Sequence, residues 1–247
     1  MKNQFVTLLV LLFCCNLGAQ IPSLAPCNTW TFQLGIASAQ SEQPLHTIHL
    51  PTGSYIICGN DSAASGTHGR LLKLSSQGRV ELSKQLSYGS QNLTVKKVRL
   101  FSNGLLYGLA LATDPLSGLH KPLLFTADTA SLTIRSVMEY RFSVSAADWL
   151  AADLDEGRDN STFLFLYNDS LVNVTKLGLP LNTITWSRTY RTRNRPRPVG
   201  MEVEYNELHL AWNETDSGYN KGVVISLDFA TGNYRFGSRV GGLGKGL

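Results

Sequence analysis

Four stretches of the chain share one hydrophobic and polar pattern, an apolar strand, a polar turn and an alternating strand: residues 70–86, 122–140, 171–190 and 222–240. Their anchors keep step. Leu72, Leu124, Val174 and Val224 are separated by 52, 50 and 50 residues, and Val80, Ile134, Ile184 and Tyr234 by 54, 50 and 50. Ahead of each stretch lies another apolar run, at 55–58, 105–111, 163–167 or 208–212, usually followed by Asn or Asp. Each unit therefore reads as two hairpins, with strands a, b, c and d in order.

Repeats of four strands at this period predict an all-β chain, a β-propeller of four-stranded antiparallel blades. Stacked blades bury both faces of their inner strands. That accounts for strands b and c being nearly continuous in Leu, Ile, Val, Phe and Ala while strand d alternates. The units fall at 35–86, 87–140, 141–190 and 191–240, within one domain spanning 20–247. A sandwich or a solenoid is the competing arrangement. One segment, 145–154, has helical composition, but its place in the period predicts strand a.

Residues 28–34 resemble a further d strand, with Trp30 and Leu34 each 52 residues before Leu82 and Leu86. Five d strands then stand against four a-b-c sets, and residues 241–247 are too few to supply another three strands. The expectation is an incomplete or truncated ring: four complete blades plus one N-terminal outer strand. A four-bladed ring padded by residues 28–34 is the alternative.

The N-terminus changes the setting. Lys2, an apolar run at 5–15 and the small residues Gly18 and Ala19 read as a signal peptide over 1–19, which predicts a secreted or cell-surface protein. No later stretch is long and apolar enough to span a bilayer as a helix. In an oxidising compartment a disulfide between Cys27 and Cys58 is permitted, and a buried free thiol at Cys58 is the other reading. A formal charge of +4 with 16% charged residues gives no field that points to nucleic acid.

Candidate chemistry is sparse. Arg191, Arg193, Arg195 and Arg197, with Arg188 upstream, cluster around Pro196 and Pro198 in a connection that is expected to fan them outward. Guanidinium groups suit carboxylate, sulfate and phosphate, so an anionic glycan or a protein partner is the functional reading, against a solvated linker. The b-c and d-a connections emerge on one face and would gather His68, His120 and Lys121 there. Asp153, Asp155 and Asp159 surround Gly157 and form a weak calcium candidate, the only cofactor considered, against a solvated turn. The five histidines accompany no nucleophile motif and no zinc spacing, so no catalytic residue is assigned.

At Gly53-Ser-Tyr-Ile-Ile-Cys-Gly59, at Leu71-Leu-Lys-Leu-Ser-Ser-Gln-Gly-Arg-Val80 and at Thr185-Trp-Ser-Arg-Thr-Tyr190, the chain resembles the propeller-like repeat of large secreted and surface proteins from gliding-type Gram-negative bacteria. The resemblance covers most of 28–240 and is strongest in the first unit. It implies a client of the type IX secretion route. Repeat, export and absent catalytic motif together predict a non-enzymatic binding module for glycan or protein. The alternatives are a fragment of a carbohydrate-active or redox propeller enzyme with its site in the central channel, and a structural spacer of an adhesin.

Overall fold

The computed structural model describes residues 41–63, 66–89, 91–114, 116–140, 148–178, 183–192, 194–216 and 219–241. They belong to one compact unit, Gly35–Leu247. The signal segment, Cys27, residues 28–34 and Arg193 lie outside the described residues. All described elements are strands, and no helix among them is long and apolar enough to cross a membrane.

The apolar runs and their alternating partners fold into four antiparallel sheets, each a meander in chain order. The first holds β1 (Ser41–His49), β2 (Tyr55–Ala63), β3 (Gly66–Leu74) and β4 (Val80–Gln85). The second holds the short β5 (Ser87–Tyr88), then β6 (Gln91–Leu100), β7 (Leu105–Thr113), β8 (His120–Asp128) and β9 (Ile134–Glu139). The third holds β10 (Leu150–Glu156), β11 (Thr162–Tyr167), β12 (Leu171–Leu177) and β13 (Ile184–Arg191). The fourth holds β14 (Arg197–Glu204), β15 (Glu207–Asp216), β16 (Tyr219–Asp228) and β17 (Tyr234–Val240). Residues 150–156 are strand, as the period requires and against their composition: tertiary pairing overrides a modest helix propensity.

The sheets stack face to face in sequence. Between the first and second lie Ile56, Cys58, Leu71, Val95, Ala110 and Phe125. Between the second and third lie Leu109, Leu124, Trp149, Leu154 and Leu164. Phe165, Val174, Met201, Leu210, Trp212 and Ile225 fill the space between the third and fourth. The first strands of successive sheets meet one another, β1 with β6, β6 with β10 and β10 with β14. They therefore converge on a common axis, which makes the architecture a β-propeller and the sheets its blades.

Two irregularities recur in every blade. Strand d carries one extra residue opposite strand c, at Glu81, Arg135, Thr185 and Arg235, so that Val80, Ile134, Ile184 and Tyr234 open strand d in register. The c-strand partners at this point are Leu74, Ala127, Leu177 and Leu227. Leu124, Val174 and Val224 each precede their partner by three positions, so the matching residue in the first blade is Leu71 and not Leu72. Leu71, Leu124 and Val174 are buried against the following blade, whereas Val224 on the fourth blade is 41% exposed.

Strand a carries the second bulge, at Leu45, Lys96, Ala152 and Val199. A bulge rotates the strand locally and re-aims the side chains that follow. The residues that follow are His46, Lys97, Asp153 and Gly200, all on the innermost strands.

Candidate functional site

Re-aimed by these bulges, the first strands build a polar cluster on the axis. Lys97 Nζ lies 3.1 Å from Asp153 Oδ1, and Arg99 Nη1 donates to Asp155 Oδ1 at 2.6 Å. Each aspartate is held from the other side by the fourth blade, where Met201 N donates to Asp153 Oδ2 at 3.0 Å and Val203 N to Asp155 Oδ2 at 3.2 Å. Two parallel chains therefore cross three blades, one through Lys97, Asp153 and Met201 and the other through Arg99, Asp155 and Val203. At Gly200 an added Cβ would lie 3.4 Å from Asp153 Oδ2, an ordinary van der Waals contact, so the fourth blade packs directly against this carboxylate.

Burial outweighs the nearby Arg99 guanidinium and raises the Asp155 carboxyl above its ordinary value, although the Glu156 and Val203 amides pull it down. His46 extends the cluster into the first blade. Burial first, then Lys97 and Arg99, hold its imidazole below the ordinary histidine value, opposed by Asp153. Around this axis the chain carries both carboxylates and fixed positive charge, whereas the surrounding sheet interfaces are apolar.

On the b-c side of the first two blades a pocket of 290 Å³ opens, walled by Gln43, Asn60, Ser62, Thr67, Thr94 and Lys96. Asn60 and Val95 both line it. The Asn60 amide donates to Val95 O at 3.0 Å and accepts from Val95 N at 2.8 Å, so the wall between blades is itself hydrogen-bonded. Ser62 Oγ and Thr67 Oγ1 lie 3.2 Å apart at the rim.

The residues singled out in the sequence are dispersed. His68 begins β3 in the first blade; His120 and Lys121 begin β8 in the second. His120 Nδ1 lies 2.9 Å from Asp148 Oδ1, and Lys121 Nζ 3.7 Å from Asp114 Oδ2. Arg191 ends β13 and Arg197 begins β14, both exposed, while Arg195 pairs with Asp169 at 2.8 Å in open solvent. Arg188 does not fan outward: it donates to Thr231 O at 2.7 Å and to Gly232 O at 3.2 Å, stapling the third blade to a turn of the fourth.

The calcium candidate is divided. Asp153 and Asp155 sit on the axis, and Asp159 pairs with Lys176 at 2.7 Å, whose ammonium lies 3.7 Å above the Phe229 ring. No group of three or more metal-ligating side chains occurs among the described residues. Cys58 is a free buried thiol in β2, and burial pushes it up to about 12.

No family model matches the chain, and no curated protein does. Among solved structures it is similar to the exo-β-1,3-galactanase from Phanerochaete chrysosporium with galactose, at 15% identity and TM-score 0.50, over 79% of this chain and 50% of that one. A variant of that galactanase with β-1,3-galactotriose gives 16% identity and TM-score 0.50, over 85% and 52%. A GH43 β-xylosidase/α-arabinofuranosidase from a compost microbial metagenome gives 9% identity and TM-score 0.48, over 81% and 78%. The chain spans about half the length of the galactanase chains. At these identities the likeness establishes the fold, a β-propeller.

The expectation of a non-enzymatic binding module is corrected by this comparison. The galactanase structures that share the fold are glycoside hydrolases, which favours the carbohydrate-active alternative over that main reading. The sequence missed the axial cluster because its members come from four separate repeats. The shared signal is a charged or polar residue interrupting three of the four a strands, at His46, Lys97 and Asp153, where the fourth has Gly200.

Proposed function

We propose that this chain is a carbohydrate-active propeller that cleaves glycosidic bonds at the axis, with Asp153 and Asp155 as its carboxylate pair. Glycoside hydrolysis needs one carboxyl that gives up a proton to the leaving oxygen and one carboxylate opposed to the positive charge that develops on the sugar ring. Burial favours a proton on Asp155, which takes the donor role against the pull of Arg99 and the Val203 amide toward the ionised form; Asp153, ion-paired to Lys97, faces the developing charge. Lys97, Arg99 and the Met201 and Val203 amides position the two groups. The observation that carries this reading is the two charged chains crossing the axis of a fold shared with glycoside hydrolases. An export segment at residues 1–19 supports an extracellular polysaccharide as the substrate.

The test is reducing-sugar release from a panel of β-1,3-galactan, xylan, arabinan and pectin. Asp153→Asn and Asp155→Asn are each expected to lower release at least ~100-fold, in the range for loss of a positioned acid or base. A wild-type chain that is folded and inert on the whole panel would remove the hydrolase reading.

A further inference from the structure

The pocket between the first two blades is polar, yet among the described residues its wall carries no carboxylate: they offer the Gln43 and Asn60 amides, the Ser62, Thr67 and Thr94 hydroxyls and one ammonium, Lys96. Among the described residues no acidic side chain pairs with Lys96, whereas Lys97 and Arg99 on the same strand are both paired. Its position is fixed by the fold. Lys96 is the extra residue of the β6 bulge, held on one side by Val95, whose backbone is clamped by Asn60, and on the other by Lys97, whose ammonium is engaged with Asp153. The bulge therefore sends consecutive lysines to different tasks, Lys97 to the axis and Lys96 to the pocket.

A volume of 290 Å³ falls just below the ~300–1,000 Å³ of ordinary ligand sites, which suits one sugar ring and no more. Hydroxyl and amide groups match the hydroxyls of such a ring, and an unpaired cation among them asks for an anion. Lys96 is solvent-accessible overall, but the surrounding protein desolvates its ammonium enough to lower it from the ordinary lysine value, a cost that a bound anion relieves.

We propose that this pocket is a subsite for a carboxylate-bearing sugar, a uronic acid unit, with Lys96 binding the carboxylate and the Ser62, Thr67 and Thr94 hydroxyls binding the ring. The proposal rests on the carbohydrate-active reading and narrows it, because a uronate held beside Lys96 lies one residue along β6 from the Lys97–Asp153 pair. The substrate class is then an acidic polysaccharide, read at this subsite while the neighbouring unit occupies the axis.

The experiment is calorimetric or NMR titration of the full chain with D-galacturonate, D-glucuronate, D-galactose and acetate at low ionic strength. One or both uronates are expected to bind at least tenfold more tightly than galactose and than acetate. Lys96→Gln is expected to reduce the uronates to the galactose level with no change in thermal midpoint, and Thr67→Tyr, which fills the rim and keeps the lysine, to weaken all sugars. Equal binding of uronate and galactose, acetate binding as tightly as uronate, or a preference retained in Lys96→Gln would each overturn the proposal. Binding is read without turnover, so its outcome is separate from hydrolysis. A Lys96-dependent uronate preference in a chain inert on every polysaccharide would leave the subsite standing and sink the hydrolase reading. Hydrolysis of neutral polymers without uronate preference would do the reverse.

Discussion

Asn60 in the first blade and Val95 in the second are joined by two hydrogen bonds, the side-chain amide matching the backbone N–H and C=O of Val95 at 2.8 and 3.0 Å. The amide thus completes a bridge between strands of different sheets at the point where the β6 bulge breaks regular pairing. Buried backbone groups rarely go unpaired, and a bulge next to a sheet interface needs such a partner. Both residues of the bridge also line the pocket, so packing between blades and the shape of the candidate subsite depend on one side chain.

Replacing Asn60 by Ala orphans both Val95 groups. Each buried unpaired group costs ~1–3 kcal/mol, so Asn60→Ala is expected to lower stability by about 2–4 kcal/mol, measured as a shift in the urea midpoint at unchanged slope. Asn60→Asp keeps an acceptor for Val95 N but sets a carboxylate against Val95 O, so its deficit should grow between pH 4 and 7. A loss below about 0.5 kcal/mol for Asn60→Ala would mean that water replaces the amide and that the bridge does not bind the blades.

On the axis, Lys97 is 18% and Asp153 8% exposed in their side chains, so the pair is largely desolvated. Breaking a buried pair from one side leaves an uncompensated charge, typically at ~3–5 kcal/mol, and the Met201 N–H still serves Asp153. Lys97→Met is therefore expected to cost about 2–4 kcal/mol. Lys97→Met with Asp153→Asn should cost less than the sum of the single variants, giving a coupling of at least ~1 kcal/mol in a double-mutant cycle. Additive losses would show that the two groups do not interact across the blades, and would also weaken the assignment of Lys97 as the residue that positions Asp153.

The legible and illegible parts of the chain divide along the blade, from its outer to its inner strands. Ile134, Ile184 and Tyr234 recur every 50 residues because each opens a strand d after a tight turn whose length hardly varies. Toward the axis the step is lost. Ten residues lie between Glu139 at the end of β9 and Leu150 at the start of β10, but five lie between Arg191 and Arg197 in the next connection. His46, Lys97, Asp153 and Gly200 are consequently spaced by 51, 56 and 47 residues, and a one-residue bulge in each strand a hides their common orientation further. Along the sequence Asp153 and Asp155 stand close to Asp159 and read as one candidate cation loop. Strand pairing instead turns the first two toward Lys97 and Arg99 and leaves Asp159 to Lys176. The arginines at 191–197 had the strongest local signal, yet among those described Arg195 meets only an exposed partner, Asp169. Charge density along a sequence measures solvation as readily as it measures a site.

His46 gives the axial cluster a titration that can be followed. The groups facing it are Lys97 and Arg99 from β6 and Asp153 from β10; burial and the two cations disfavour its protonated form more than Asp153 favours it. Its folded value therefore lies below 6.5, the value expected of the unfolded chain. Above that value both states are neutral at His46 and its contribution to stability is fully present. As the pH falls below it, the unfolded chain takes up a proton that the folded chain refuses, and stability declines until the folded value is reached. Thermal midpoints of wild type and His46→Gln should accordingly run parallel from pH 8 to 7 and then converge, or cross, as the pH is lowered toward 5, because the variant lacks this one uptake. Curves that stay parallel throughout would mean that His46 protonates freely in the folded state, and that the charges of Lys97 and Arg99 are not focused on the axis as the ion pairs imply.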